Sequence, residues 1–152
     1  MGRTWRDGTG LLRTPGGVVP LEIAASYRAR RRGLLGRDGI DGALLITPTN
    51  SIHTFGMRFT LDIAYLDRSL TVLDVVTMRP GRLGLVRLRG RHVLEAAGGA
   101  MTGWGLAPGV TVTVEPCLWS RAGKRDGRGV HGGPKPRPGA TVIVRAGLRR
   151  GA

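Results

Sequence analysis

Apolar side chains recur at every second position in several short windows, and a period of two belongs to strands with one buried face. Val19, Leu21 and Ile23 alternate with Pro20, Glu22 and Ala24. Within Arg58–Leu66, Phe59, Leu61, Ile63 and Tyr65 alternate with Thr60, Asp62 and Ala64. Val110, Val112 and Val114 alternate with Thr111, Thr113 and Glu115. Leu11–Arg13, Ala43–Thr47, Leu70–Met78 and His92–Ala96 are short apolar runs bounded by turn residues and complete the predicted strands.

The punctuation between these windows is chemical. Thr14-Pro15-Gly16-Gly17 turns the first strand into the second, and Asp67-Arg68-Ser69 folds Arg58–Leu66 back on Leu70–Met78 as a hairpin. Pro20 has no N–H to donate, so its strand is expected to have an open edge there. Ser26 is placed to cap a helix running to about Leu35, with Tyr27, Arg31 and Leu34 on one face and Gly33 and Gly36 ending it. A single helical turn fits the glycine-rich connection Gly98–Gly105. Arg82–Arg91 interleaves arginines with Leu83, Leu85, Val86 and Leu88, the pattern of a surface loop or an edge strand. Short strands with one or two short helices predict a mainly β, mostly antiparallel, barrel-like domain whose closure removes exposed strand edges.

Composition divides the chain. Residues 1–9 read as a flexible leader, residues 10–119 as the β domain, and residues 120–152 as a basic tail rich in Gly, Pro and Arg. Ser120–Gly139 has hardly any apolar residue, so burial cannot offset the entropy of ordering it, and the tail is expected to be largely disordered. Whether residues 140–146 form a strand is left open by Thr141-Val142-Ile143-Val144 alone. The formal net charge is +14 over 152 residues. Residues 1–119 hold 15 arginines against 9 acids, while the tail holds 9 cations against 1 acid. Such a chain binds polyanions by counterion release without any sequence preference. The N-terminus has no apolar signal core and no window suits a membrane span, so a cytoplasmic protein is expected; a monomer is expected as well. The single cysteine, Cys117, excludes an internal disulfide.

Four ordered blocks carry a family resemblance: Arg32-Gly33-Leu34-Leu35-Gly36-Arg37, Ser51-Ile52-His53-Thr54-Phe55-Gly56-Met57, Leu61-Asp62-Ile63-Ala64-Tyr65-Leu66-Asp67 and Val93-Leu94-Glu95. With Gly98-Gly99 and Gly109 they resemble the DUF192 (UPF0127) family of small prokaryotic proteins of uncharacterised function, over about residues 10–116. The resemblance implies a small, mostly β, barrel-like domain and no established reaction.

Candidate chemistry centres on His53, Asp62 and Glu95. The leading expectation is a binding or accessory domain with a ligand pocket at the barrel mouth, lined by His53, Thr54, Phe55, Met57, Asp62, Glu95 and Trp104. In the alternative, a hydrolase, His53 acts as general base with Asp62 or Glu95. In a third reading, the basic helix and tail bind nucleic acid non-specifically. The structural counter-reading has the two carboxylates accepting backbone N–H bonds and His53 bonding a loop carbonyl. His53, His92, Asp62 and Glu95 match no metal-ligand spacing, and Gly98–Gly105 matches no phosphate-binding fingerprint. No metal and no cofactor is therefore expected, and the partner is an unidentified small molecule or protein.

Overall fold

The computed structural model describes residues 3–117. The tail at 120–152, with its possible strand at 140–146, lies outside the described residues.

Seven strands and two short helices follow one another as β1 (Gly8–Thr14), β2 (Gly17–Ala24), α1 (Tyr27–Arg32), β3 (Ala43–Ile46), β4 (Leu61–Leu66), β5 (Val72–Met78), β6 (His92–Ala97), α2 (Ala100–Gly103) and β7 (Thr113–Pro116). They form one mixed sheet in the order β5-β4-β6-β3-β2-β1-β7. Neighbours are antiparallel except β2 and β3, which run parallel with Leu21 opposite Ala43 and Ala24 opposite Ile46. A parallel pair needs a long crossover, and here residues 25–42 with α1 supply it. Pro20 sits opposite Leu11 of β1 but just outside the ladder with β3, so its missing donor costs no bond there. Gly42, at φ +83°, lets the crossover re-enter the sheet: a Cβ there would run into the Pro20 carbonyl oxygen.

The sheet curls until its ends meet. Residues entering β7 hydrogen-bond to residues entering β5: Val112 N–H donates to Leu70 O (3.0 Å), Val72 N–H to Val110 O (2.8 Å) and Gly109 N–H to Val72 O (2.8 Å). Thr71 and Thr111 face each other across this seam, their hydroxyls 2.8 Å apart. β5 and β7 share no ladder, so the sheet is not closed and the expected removal of its edges is not realised; this short seam bridges its two ends and leaves a curled, barrel-like fold.

Curling defines two apolar layers. The inner one gathers Leu12, Leu21, Leu45, Leu66, Leu94, Val112 and Val114, with Met101 of α2. The outer one lies on the opposite face of the central strands and comprises Leu44, Ile46, Leu61, Ile63, Tyr65 and Val93, covered by Leu34 with Ile52, Met57 and Phe59. Strands β3 and β4 are consequently buried at every position. Edge strand β5 is only half-buried through most of its length.

Helix α1 is shorter than its pattern predicts. Ser26 Oγ accepts from Ala29 N–H as an N-cap, and Gly33 at φ +46° ends the helix. Tyr27 and Arg31 point to solvent, while Leu34, beyond the helix, is the buried residue. Arg30 reaches across to donate to Pro48 O at 2.7 Å.

The described part of the leader is tied down. Asp7 Oδ1 accepts from Ala25 N–H (2.6 Å) and Ser26 N–H (2.7 Å), Trp5 packs on the inner layer, and β1 already begins at Gly8. Hydrogen bonds, first from the Ser26 side chain and then from the backbone at Ser26 and Ala25, hold the Asp7 carboxyl below its ordinary value. Cys117 is exposed, its N–H donating to Thr9 O.

Candidate functional site

Side chains alternate along strands, so adjacent residues look at opposite faces. On β6, Leu94 and Ala96 point into the inner layer and Val93 into the outer one, which sends Glu95 outward between its cross-strand neighbours Leu44 and Ile63. On β4, Leu61 and Ile63 point outward, so Asp62 points inward. There Asp62 accepts from the Thr77 hydroxyl (2.8 Å) and from Met101 N–H at the start of α2 (3.1 Å). The sheet itself separates the two carboxyl groups.

His53 joins neither. It is exposed, paired in an isolated bridge with Leu83, its ring stacked on Phe55 at 5.1 Å. Thr54 is fully buried and acts as a staple. Its hydroxyl donates to Arg79 O (2.6 Å) and accepts from Arg82 N–H (2.9 Å), while its backbone binds Arg82 O and Gly81 N–H. Met57 packs on the outer layer and Trp104 on the inner one. The seven residues expected to line one mouth are thus spread over both faces of the sheet and a surface loop. A short alternating strand cannot deliver neighbouring blocks to one point unless their residues share parity.

Glu95 stands apart energetically. It is 3% exposed, and its Oε2 has no hydrogen-bond partner. Burial pushes its carboxyl up to about 7, as expected for an acid desolvated among aliphatic neighbours.

A cavity of about 880 Å³ lies elsewhere, at the end of the sheet where the seam forms. Its walls come from the leader (Arg3, Trp5), the cis Thr47-Pro48 turn, the β4–β5 hairpin (Arg68, Ser69, Leu70), Arg91 and His92 entering β6, and residues 111–114. Three arginines, Arg3, Arg68 and Arg91, are among the residues that line a largely apolar interior. Among the described residues the ion pairs are Arg13–Glu115, Arg37–Glu22, Arg58–Asp38 and Arg87–Asp74, so none of the three cavity arginines is neutralised by a contacting carboxylate. Arg3 lies over the Trp5 ring, 5.2 Å from its centroid, and Trp5 meets the His92 ring edge-on at 5.5 Å. His92 is 7% exposed, and its Nδ1 is 2.7 Å from the Thr47 hydroxyl. Burial lowers the His92 pKa, opposed by Asp67 and reinforced by Arg3 and Arg91.

None of the seven expected site residues lines this cavity. Its own residues read in sequence as turn or leader positions, and each arginine alone reads as solvated surface charge. Trp5, a large aromatic in an otherwise polar leader, was the one local signal.

A family model for DUF192, described as an uncharacterised conserved family, matches residues 11–114. This chain belongs to DUF192. A UPF0127 protein from Pyrococcus horikoshii is 31% identical over 84 residues, covering 52% of this chain and 73% of the relative. One from Pyrococcus abyssi is 31% identical over 80 residues, covering 49% of this chain and 68% of the relative. Among solved structures, a Novosphingobium aromaticivorans protein of unknown function superposes with a TM-score of 0.60 at 19% identity, over 69% of this chain and 83% of that one. A Sinorhizobium meliloti protein described as a candidate transcription regulator gives 0.59 at 19% identity, over 75% and 98%. At that identity the two structures speak for the fold alone. Among the described residues no helix is long and apolar enough to cross a membrane.

Proposed function

We propose that this DUF192 chain is a binding domain for a small organic anion, taken into the cavity at the seam. The observation that carries the reading is the set of Arg3, Arg68 and Arg91 around an apolar interior, without a contacting carboxylate among the described residues. Such a site fits a ligand with an apolar body and a carboxylate or phosphate head, because guanidinium forks bind those groups through charge-assisted hydrogen bonds. Trp5, Leu70 and Val112 would cover the apolar body, and His92, kept neutral by burial, would offer a polar contact without repelling the arginines.

Phenyl phosphate, benzoate and the uncharged benzyl alcohol serve as probes. The full-length chain should show a saturable rise in Tm with the two anions and none with the alcohol. The double substitution Arg68→Ala and Arg91→Ala should abolish that rise while leaving the basic tail intact. A rise that survives both substitutions, or no rise with either anion, removes this reading.

A further inference from the structure

Outside the cavity, the strongest concentration of unexplained surface is a ribbon pressed on the outer layer. Residues 49–54 and 82–91 run antiparallel, tied by Thr49 N–H to Arg91 O (3.0 Å), Arg87 N–H to Asn50 O (2.9 Å), Gly84 N–H to Ile52 O (2.8 Å) and Thr54 N–H to Arg82 O (2.8 Å). Gly84 lets the ribbon lie flat: a Cβ there would stand 2.5 Å from the Tyr65 hydroxyl oxygen. Arg87 pins it from below, donating to Asp74 at 2.6 Å with its guanidinium 4.6 Å from the Tyr65 ring centroid.

With its backbone held this way, the ribbon turns its aliphatic side chains outward. Leu83, Leu85 and Leu88 are 71%, 75% and 86% exposed, and Val86 and Phe55 more than half. A folded surface rarely gathers so many large apolar groups unless they meet a partner. The same segment, residues 79–91, carries five arginines and no acid. Of these, Arg91 belongs to the cavity and Arg87 pairs with Asp74, while Arg79, Arg82 and Arg89 are exposed and in no ion pair among the described residues.

We propose that this ribbon docks the protein on an anionic lipid bilayer, with Leu83, Leu85 and Leu88 entering the headgroup–acyl boundary and the arginines engaging lipid phosphates. Segments that lie in a membrane interface combine exposed Leu or Phe with cations. Arginine keeps its charged head at the phosphate level while its stem follows the apolar side chains inward. An anionic leaflet matches the sign of the patch. Leucine side chains give a nucleic acid no surface on which its bases stack, so the arginines here are not explained by that partner.

The full-length chain is mixed with vesicles of phosphatidylglycerol and phosphatidylcholine and sedimented. Wild type should sediment with them, and Leu85→Ser with Leu88→Ser should lower the partition coefficient roughly a hundredfold, about tenfold per leucine. Both substituted side chains are exposed, so an unchanged circular-dichroism melt is expected. In a separate variant, Leu88→Trp, tryptophan emission should shift to the blue on the vesicles and be quenched by brominated acyl chains. Vesicle binding unchanged by the two serines would assign it to charge alone and overturn the proposal. Absence of quenching in L88W, or loss of duplex-oligonucleotide binding in the serine variant, would overturn it too. None of the substituted leucines lines the cavity, so this test and the anion test fail independently.

Discussion

Asp62 and Glu95 stand one register step apart on adjoining strands and face opposite sides of the sheet. Asp62 is opposite Ala96, and Glu95 is opposite Ile63. The inward carboxylate is satisfied by Thr77 and Met101, whereas the outward one keeps an orphaned oxygen among aliphatic side chains. One strand pair therefore holds a structural acid and an acid whose charge is penalised.

Glu95 should make stability depend on pH in a defined window. Its folded-state pKa is raised to about 7 from an ordinary 4.5. Between those values the folded chain keeps a proton that the unfolded chain has released, so stability falls as pH rises through the window. Below about pH 4.5 both states are protonated and the penalty vanishes; above about pH 7 it is complete, on the order of 3 kcal/mol. Urea unfolding of Glu95→Gln should show a gain over wild type that grows across this window. Parallel curves for the two proteins would mean that Glu95 titrates alike in the folded and unfolded chain, contrary to the burial argument.

Thr54 and His53 are adjacent and should behave as opposites. Thr54→Val removes the hydroxyl that joins Arg79 O to Arg82 N–H inside the fold. These bonds are part-buried, so losing them should cost about 1 kcal/mol, the lower end of the range for groups left unpaired. Amide exchange should quicken at Gly81 and Arg82. His53→Ala removes only an exposed stack on Phe55, and a change within about 0.5 kcal/mol is expected. A large loss from His53→Ala would assign that ring a structural role that its exposure does not suggest.

The third expectation concerns His92. Burial holds the folded imidazole's pKa below the ordinary 6.5, with Asp67 opposing and Arg3 and Arg91 assisting. As pH falls below about 6.5 the unfolded chain gains a proton before the folded chain does, so this residue's contribution to stability declines toward acid. An NMR titration should place its midpoint below 6.5, and saturating phenyl phosphate should raise it by adding negative charge to the cavity. A midpoint at or above 6.5 in the free protein would contradict the burial argument.

Period-two alternation and short apolar runs placed the strands and the parity of Asp62 against Ile63, turn residues the β4–β5 hairpin, and Ser26 the capped start of α1, because each rests on contacts within a few residues. The ordered blocks around His53, Asp62 and Glu95 were enough to identify the family. Local pattern left undecided the parallel pairing of β2 with β3 and the seam between residues 70–72 and 109–112, since both join segments far apart in sequence. The same reason hid the cavity: Arg3, Arg68 and Arg91 each look like solvated charge until the curl of the sheet sets them around one hollow. Parity along a strand is a local property, whereas convergence on a point is not, so only the tertiary structure decided which of the expected residues share a face and which arginines line the cavity.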